Sequence, residues 1–587
     1  MARSQDHTLT TAASARWRAI LPAGHWLKQY PREYLVGDLL AGFIVAVMLV
    51  PQGMAYALLA GLPPEVGLYA SILPLIIYGL LGSSRTLAVG PVAIVSLLVA
   101  TGIAPLAEAG SGAYLQLAVV LALLVGVIQV VMGLVRLGFL VNFLSHPVLA
   151  GFSSAAALVI GFSQLKHLLG IGMPRGEFFE LLHYALTHFT ETNLVTFAIG
   201  GGSILILLFF KRNLGLLLKR WGLPAHWILP ITKSAPLVIV VLGTAMVWGL
   251  HLEQRAGVAI VGDVPAGLPP LTLPTFDLSL WQHLLPTALV ISFVGYMESI
   301  AVAKSLASKR RQKVGANQEL IALGAANLGA MFTGGYPVTG GFSRSVVNYD
   351  AGANSGLASI ITAVLIALTV IFLTPVFYFL PQAVLAAIVI VAVAGLVDVK
   401  TFRHVWQYNK ADAASFLVTF FAVLAVGVEN GILYGVAVAM LLFIWRSSRP
   451  HVAVVGRLGD SEIYRNVLRH KVQCWPNVVA VRIDESLYFA NSKFLEDTVL
   501  GLIADQPEVD HFVLIGTAVN FIDASALETL ESLERQLKDA GVQLHLAAIK
   551  GPVLDRLRAI GFVEHLGEQF VHLTTHDAMR AIGVVVE

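Results

Sequence analysis

Arg344 stands where a charge is expensive. The stretch 334–356, GGYPVTGGFSRSVVNYDAGANSG, lies between two long apolar segments, yet it holds four glycines before Phe342, a proline and an arginine. Backbone this irregular survives at membrane depth only where protein or water satisfies its polar groups. A guanidinium there costs roughly 2.5–3.5 kcal/mol on insertion scales, which marks it as functional by default. Glycines followed by Phe342-Ser343-Arg344-Ser345-Val346-Val347 predict a loop opening into a short half-helix. Its free N–H groups and positive dipole end, with Arg344 beside them, suit an anion. Glu298 is the other costly residue, set on an apolar span among Phe293, Val294, Ile300 and Val302.

These two residues need a membrane scaffold, and the composition supplies one. The 587 residues are 57% hydrophobic and only 13% charged, where a soluble protein would carry about 25% charged residues. The mean hydropathy is +0.77. The chain is therefore expected to be a polytopic membrane protein. One cysteine, Cys474, excludes an intrachain disulfide and a cysteine-based metal site. Residues 1–34 are polar, include Arg3, Arg16, Arg18, Lys28 and Arg32, and lack the apolar core of a signal peptide; they are expected to be a cytoplasmic N-terminal segment.

Fourteen apolar segments follow: 35–59, 68–81, 87–101, 114–135, 144–165, 192–210, 235–250, 285–303, 318–332, 342–348, 357–379, 383–397, 413–428 and 432–445. With residue 1 inside, even-numbered segments should end among Lys and Arg. Arg85, Arg136, Lys211, Arg212, the 309–313 run, Lys400, Arg403, Lys410, Arg446 and Arg449 all fall there. The opposite loops carry only Lys166, Arg175 and Arg255 against Glu65, Glu108, Glu253 and Asp263. Two short segments, each third in its set of seven, follow Val89-Gly90-Pro91-Val92 and Gly340-Gly341. Paired short, Gly/Pro-interrupted segments point to a binding site at an inverted-repeat interface. An odd repeat of seven reverses the second half, so the half-helix starts can face each other.

Beyond Trp445 the pattern changes to strand–helix alternation. Strands are predicted at 478–483, 512–515 and 542–547. Helices are predicted at 524–540, with Leu527, Leu530, Leu533 and Leu537 inward, and at 552–560. This is a small α/β domain, giving an expected division into 1–34, a membrane domain over 35–446, and a linker with a cytoplasmic α/β domain over 447–587.

At these residues the chain resembles the SulP family, the sulfate permeases and related anion transporters that include prestin and pendrin. The resemblance runs through Val50-Pro51-Gln52-Gly53-Met54-Ala55-Tyr56-Ala57, Gly67-Leu68-Tyr69, Gly82-Ser83-Ser84-Arg85, Val89-Gly90-Pro91, Met297-Glu298-Ser299-Ile300-Ala301 and Gly340-Gly341-Phe342-Ser343-Arg344-Ser345. Ile483-Asp484-Glu485-Ser486-Leu487-Tyr488-Phe489-Ala490-Asn491 and Phe521-Ile522-Asp523-Ala524-Ser525 resemble a STAS domain. The resemblance implies about fourteen spans as a seven-plus-seven inverted repeat, core and gate bundles, a homodimer, and transport without catalysis. It implies that Gln52, Tyr56, Val92, Phe342, Ser343 and Arg344 bind the anion, Val92 through its backbone N–H. Glu298 would carry the coupling proton, since proton-coupled members hold glutamate there and sodium-coupled relatives can hold aspartate.

Plainer readings stand beside these. Arg344 would cap backbone carbonyls, Ser343 would satisfy a local backbone group, Gln52 and Tyr56 would pack one helical turn apart, and Glu298 would be permanently paired with Arg344 or Lys304. Glu319, Asn327 and Asn348 read as polar satisfaction at span ends. Ser525 matches a serine phosphorylated in bacterial anti-anti-sigma STAS proteins, although in transporters the position is more often structural. No histidine spacing suits a metal, no glycine pair forms a nucleotide phosphate loop, and nothing points to nucleic acid.

The leading expectation is a proton-coupled sulfate symporter of the cell inner membrane, working by alternating access without a bound cofactor. The run FSRSVVNYDAG over 342–352, resembling plant-type sulfate transporters, favours sulfate. The alternatives are a sodium-coupled bicarbonate carrier, a proton-coupled dicarboxylate carrier, an uncoupled anion channel, and a non-transporting receptor signalling through the STAS domain.

Overall fold

A computed structural model describes residues 23–27, 30–143, 145–173, 176 and 178–585. Most of the expected N-terminal segment, including Arg3, Arg16, Arg18 and Lys28, lies outside the described residues, as does Arg175. The chain divides into two compact units, Met1–Ala439 and Met440–Glu587. The division falls inside the last long apolar helix, Val428–Ser448, rather than after it.

In the first unit every one of the fourteen apolar segments contains a helix. By length and composition, eight helices among the described residues are able to cross a bilayer, or nine if the bent pair Trp227–Lys233 and Ala235–Leu250 is one span. The difference from fourteen has a physical origin. Ala93–Ile103 and Phe342–Asp350 are half-helices that begin from extended chain, Leu357–Phe372 is a short apolar helix, and Ala316–Phe332 and Lys410–Val426 are 17 residues each, just short of a full span.

The helices sort into two packed groups. In one, Ala316–Phe332 lies against Gly112–Leu134 and Leu73–Leu81, Leu357–Phe372 against Arg32–Leu59, and Leu278–Lys309 against Gly112–Leu134. In the other, Lys410–Val426 lies against His146–Ser163, and Leu194–Phe209 against Gln382–Val393 and Ala235–Leu250. The first group takes the first four and the eighth to eleventh apolar segments; the second takes the rest. That is the inverted-repeat partition into core and gate.

The half-helices are joined by a two-stranded antiparallel ladder of β1 (Val89–Gly90) and β2 (Thr339–Gly340), with Val89 opposite Gly340 and Gly90 opposite Thr339. Each strand runs directly into its half-helix. Two N-termini separated by some 250 positions therefore open at one place. Gly90 adopts φ 149°, outside the range of ordinary side chains.

The second unit holds a six-stranded sheet: β3 (Val452–Arg457), β4 (Tyr464–Asn466), β5 (Val478–Ile483), β6 (His511–Ile515), β7 (Gln543–Ala547) and β8 (Val571–His572), ordered β4-β3-β5-β6-β7-β8. β5 to β8 are parallel, and β3 is antiparallel to both its neighbours. Helix Ala524–Asp539 buries Leu530, Leu533 and Leu537 against one face, with Leu527 partly buried. Ala578 and Met579 of Thr575–Ile582 cover the other face.

Candidate anion site between two half-helices

Neither half-helix start carries a side-chain cap: Val92 precedes Ala93–Ile103 and Gly341 precedes Phe342–Asp350, both with extended backbone. A helix start in a protein interior without a side-chain partner leaves N–H donors aimed at whatever fills the space in front. Here the two sets of donors converge, because the β1–β2 ladder ties their caps together.

Much of the rest of the loop is hydrogen-bonded, so the free donors are not a general looseness. The Gly341 N–H donates to Ala88 O at 3.1 Å. The Ser345 hydroxyl accepts from the Ala88 N–H at 2.9 Å and donates to Gly341 O at 2.7 Å. Ser299 Oγ accepts from the Gly340 N–H at 2.8 Å and meets Thr339 Oγ1 at 2.7 Å. Asn327 accepts from the Val338 N–H at 2.7 Å, and Asn348 donates to Thr86 O at 3.0 Å. Glu319, fully buried, accepts from Tyr78 Oη at 2.6 Å and from the backbone N–H groups of Ser83 and Ser84 at 2.8 and 3.0 Å. These three polar residues are scaffold, as the plainer reading of them had it.

Arg344 is 2% exposed and folds back over the start of its own helix. A methyl group on Gly341 would stand 3.1 Å from Arg344 Nη2 and 3.2 Å from Val92 Cγ1, so any side chain there would press on the guanidinium. Among the described residues its one hydrogen bond is a long one, Nη1 to Gln52 Oε1 at 3.5 Å, and Nε and Nη2 are buried without a partner. The arginine does not cap carbonyls. Glu298 Oε2 is likewise buried and unpartnered, and among the described residues no ion pair joins it to Arg344 or Lys304.

Gln52 and Tyr56, on Arg32–Leu59, are 7% and 6% exposed, and Val92 is buried beside Gly341. Tyr56, Glu298 and Arg344 lie close enough for each to act on the others' charge. Phe342 and Ser343 occupy the first turn of the second half-helix with exposed side chains. Ser525 sits exposed in the first turn of Ala524–Asp539, in the other unit.

Two side chains absent from the sequence reading belong to this site. Tyr336 is fully buried, its hydroxyl 3.0 Å from Ser96 Oγ on the opposing half-helix, and it lies within reach of the Arg344 charge. Tyr336 lies between two glycines and a proline in 334–337, and its setting there is the only signal the sequence carried. A cavity of about 700 Å³, lined by Leu97, Thr101, His167 and Glu429 among others, is a separate space beyond the C-terminal end of Ala93–Ile103.

Residues 35–419 match the model of the sulfate permease family, and residues 470–578 match the STAS domain. The chain is 38% identical to sulfate transporter 4.1, chloroplastic, of Arabidopsis thaliana, over 96% of this chain and 82% of that one. It is 32% identical to high affinity sulfate transporter 2 of Stylosanthes hamata, over 96% and 86%. Among solved structures, the murine solute carrier 26 family member A9 anion transporter in the inward-facing state aligns with TM-score 0.88 and 28% identity, over 97% of this chain and 95% of that chain. The transmembrane domain of the cyanobacterial bicarbonate transporter BicA shares the fold, with TM-score 0.57 and 23% identity over 70% of this chain and 98% of that one. With 385 consecutive residues (35 to 419) inside that family model, the chain belongs to the sulfate permease family.

Proposed function

We propose that this protein is a secondary active transporter of a small oxyanion, sulfate, driven by proton symport. The observation that carries this reading is the meeting of two uncapped half-helix starts beside a buried, largely unpartnered guanidinium. An oxyanion there accepts from free backbone N–H groups and from Arg344 Nε and Nη2. Gln52, Tyr56 and the Tyr336–Ser96 pair surround it with hydroxyl and amide groups. The names of the relatives support sulfate over other oxyanions.

Glu298 supplies the coupling. Its carboxylate is beside the same space, so an incoming dianion and an ionised Glu298 repel each other, and proton uptake removes the repulsion. Glutamate rather than aspartate at this position supports protons over sodium. Movement of the core helices against the gate helices then exposes the loaded site to alternate sides. On this reading the protein works as a homodimer in the cell inner membrane, with the STAS domain cytoplasmic, as the Lys/Arg asymmetry of its loops supports.

The test is uptake into proteoliposomes with imposed pH and sodium gradients across labelled sulfate, bicarbonate, chloride and a C4-dicarboxylate. Accumulation of sulfate on an inward proton gradient without sodium is expected. Sodium-dependent bicarbonate uptake, or sulfate flux that ignores pH, would overturn the reading.

A further inference from the structure

The soluble unit carries a basic pocket that transport leaves without a use. A cavity of about 380 Å³ opens between the start of β3, the β4 edge and the end of β5, lined by His451, Arg465, Arg469, His470, Arg482 and Asp484. The residues come from three segments with fixed register. Arg465 stands opposite Gly456 of β3, and Arg482 opposite Ala453. Asn466 O accepts from the N–H groups of both Arg469 and His470, at 3.0 and 3.1 Å, which turns those two side chains back toward the β4 edge.

One cation of the set is already spoken for. Arg482 grips Asp484 through Nε at 2.6 Å and Nη2 at 2.9 Å, and His451 Nδ1 meets the same carboxylate at 2.7 Å. Held by Arg482 first and His451 second, the Asp484 carboxyl stays below its ordinary range and remains an anion. Arg465, Arg469 and His470 have no ion pair and no side-chain hydrogen bond among the described residues, and all three are exposed. Two free guanidiniums beside a neutralised Arg–Asp pair leave a pocket of positive charge with planar donors, which fits the oxygens of a phosphate.

Its place on the chain says where that phosphate comes from. Helix Val428–Ser448 has 21 residues and qualifies as a membrane span, and at 1.5 Å per residue it is about 31 Å long, close to the hydrocarbon thickness of a bilayer. His451 follows three residues after its last residue, within about 10 Å even for fully extended chain. The helix end is fixed to the domain: the Ser447 and Tyr488 hydroxyls are hydrogen-bonded, and Tyr488 Oη also donates to Ser447 O at 3.3 Å. The Arg449 guanidinium lies 4.2 Å from the centre of the Trp445 ring, a pairing suited to the membrane–water boundary. Along the chain, the pocket thus begins within three residues of the end of a candidate membrane span.

We propose that this pocket binds the phosphate of an anionic lipid headgroup, with Arg465 and Arg469 as its principal donors and Arg482 and His470 closing the sides. A phosphomonoester lipid such as phosphatidic acid presents the most charge and the most free oxygens to such a set.

The experiment uses the full-length protein purified in detergent, titrated with dioctanoyl phosphatidic acid, dioctanoyl phosphatidylcholine, glycerol 3-phosphate and inorganic phosphate, with binding read by native mass spectrometry or thermophoresis. Wild type should bind the phosphatidic acid at least ~10-fold more tightly than the Arg465→Ala/Arg469→Ala double variant, while the Lys/Lys double variant falls between them. Both positions are exposed, so the variants should fold, and circular dichroism checks this. Equal affinity in wild type and the Ala/Ala variant overturns the site. Inorganic phosphate binding as tightly as phosphatidic acid, and lost in the same variant, overturns the lipid assignment and makes this a free-phosphate site.

Discussion

Arg344 Nη1 reaches Gln52 Oε1 across 3.5 Å, and among the described residues this is the only hydrogen bond the buried guanidinium makes. The two residues are 292 positions apart, on the first long helix and on the second half-helix. A cation with two buried, unpartnered nitrogens is poised for a ligand, because leaving such donors unmet is otherwise costly.

Glu298→Gln imitates the protonated carboxyl and cannot release a proton. The variant is expected to keep sulfate binding and sulfate-for-sulfate exchange while losing accumulation driven by a pH gradient. Counterflow and gradient-driven uptake, measured on the same proteoliposomes, separate the two. If the Gln variant still concentrates sulfate on a proton gradient, Glu298 is not the coupling group.

Tyr336→Phe removes the hydroxyl that meets Ser96 across the half-helices. A loss of about 1 kcal/mol of interaction, on the order of 5-fold in sulfate affinity, is expected with the fold intact. Unchanged affinity by isothermal titration would place Tyr336 outside the site.

Asp38 fixes the far end of the second half-helix. Fully buried on Arg32–Leu59, it accepts from the Asn354 N–H at 2.6 Å, the Ser355 N–H at 3.2 Å, Ser355 Oγ at 2.6 Å and Tyr30 Oη at 2.8 Å. Arg310 holds the same loop from the other side, through Tyr349 O at 3.1 Å and Asn354 Oδ1 at 3.2 Å. Asp38→Ala strands several donors and should cost about 3 kcal/mol of stability, with Asp38→Asn costing less. A thermal melt unchanged in the Ala variant contradicts this clamp.

The soluble domain, expressed from residue 451 onward, is expected to fold alone, since its core clusters contain no residue of the membrane unit. It should lose stability in acid through a histidine ladder: His511 Nδ1 meets His545 Nε2, and His545 Nδ1 meets His572 Nε2, both at 3.1 Å. Burial first, then the neighbouring His511 and His572, lowers the His545 pKa from 6.5 to about 4. Between those values the unfolded chain binds the extra proton and the folded one does not. Stability is therefore full above pH 6.5 and falls as pH drops, by about 3 kcal/mol at pH 4. His545→Gln should flatten that slope in denaturant melts; an equally steep slope in the variant would assign the acid sensitivity elsewhere.

Much of this was legible in the sequence, because the membrane makes certain residues conspicuous. Arg344 and Glu298 stood out by their cost in apolar segments, and Gly90 and Gly340-Gly341 marked the two helix starts. The strands β5, β6 and β7 were readable from their apolar residues. What stayed hidden depends on pairing across distance. Tyr336 meets a serine 240 positions away, and Asp38 accepts from residues more than 300 positions later; no local periodicity encodes either. β4 and β8 are three and two residues long, too short to register, while the apolar run of β3 follows so soon after the last membrane helix that the two merge in the sequence. Helix Ser492–Ala504 was missed although it buries Leu495 and Val499.

The central claim is that the anion is held where the two half-helices meet, with Arg344 as its countercharge. Sulfate counterflow in proteoliposomes, comparing wild type, Arg344→Ala and Arg344→Lys at equal reconstituted amounts, tests it most directly. The Ala variant should lose on the order of 100-fold or more in exchange rate, with only partial recovery in the Lys variant, which offers a point charge and no planar fork. Exchange by a well-folded Arg344→Ala protein at the wild-type rate would contradict the account.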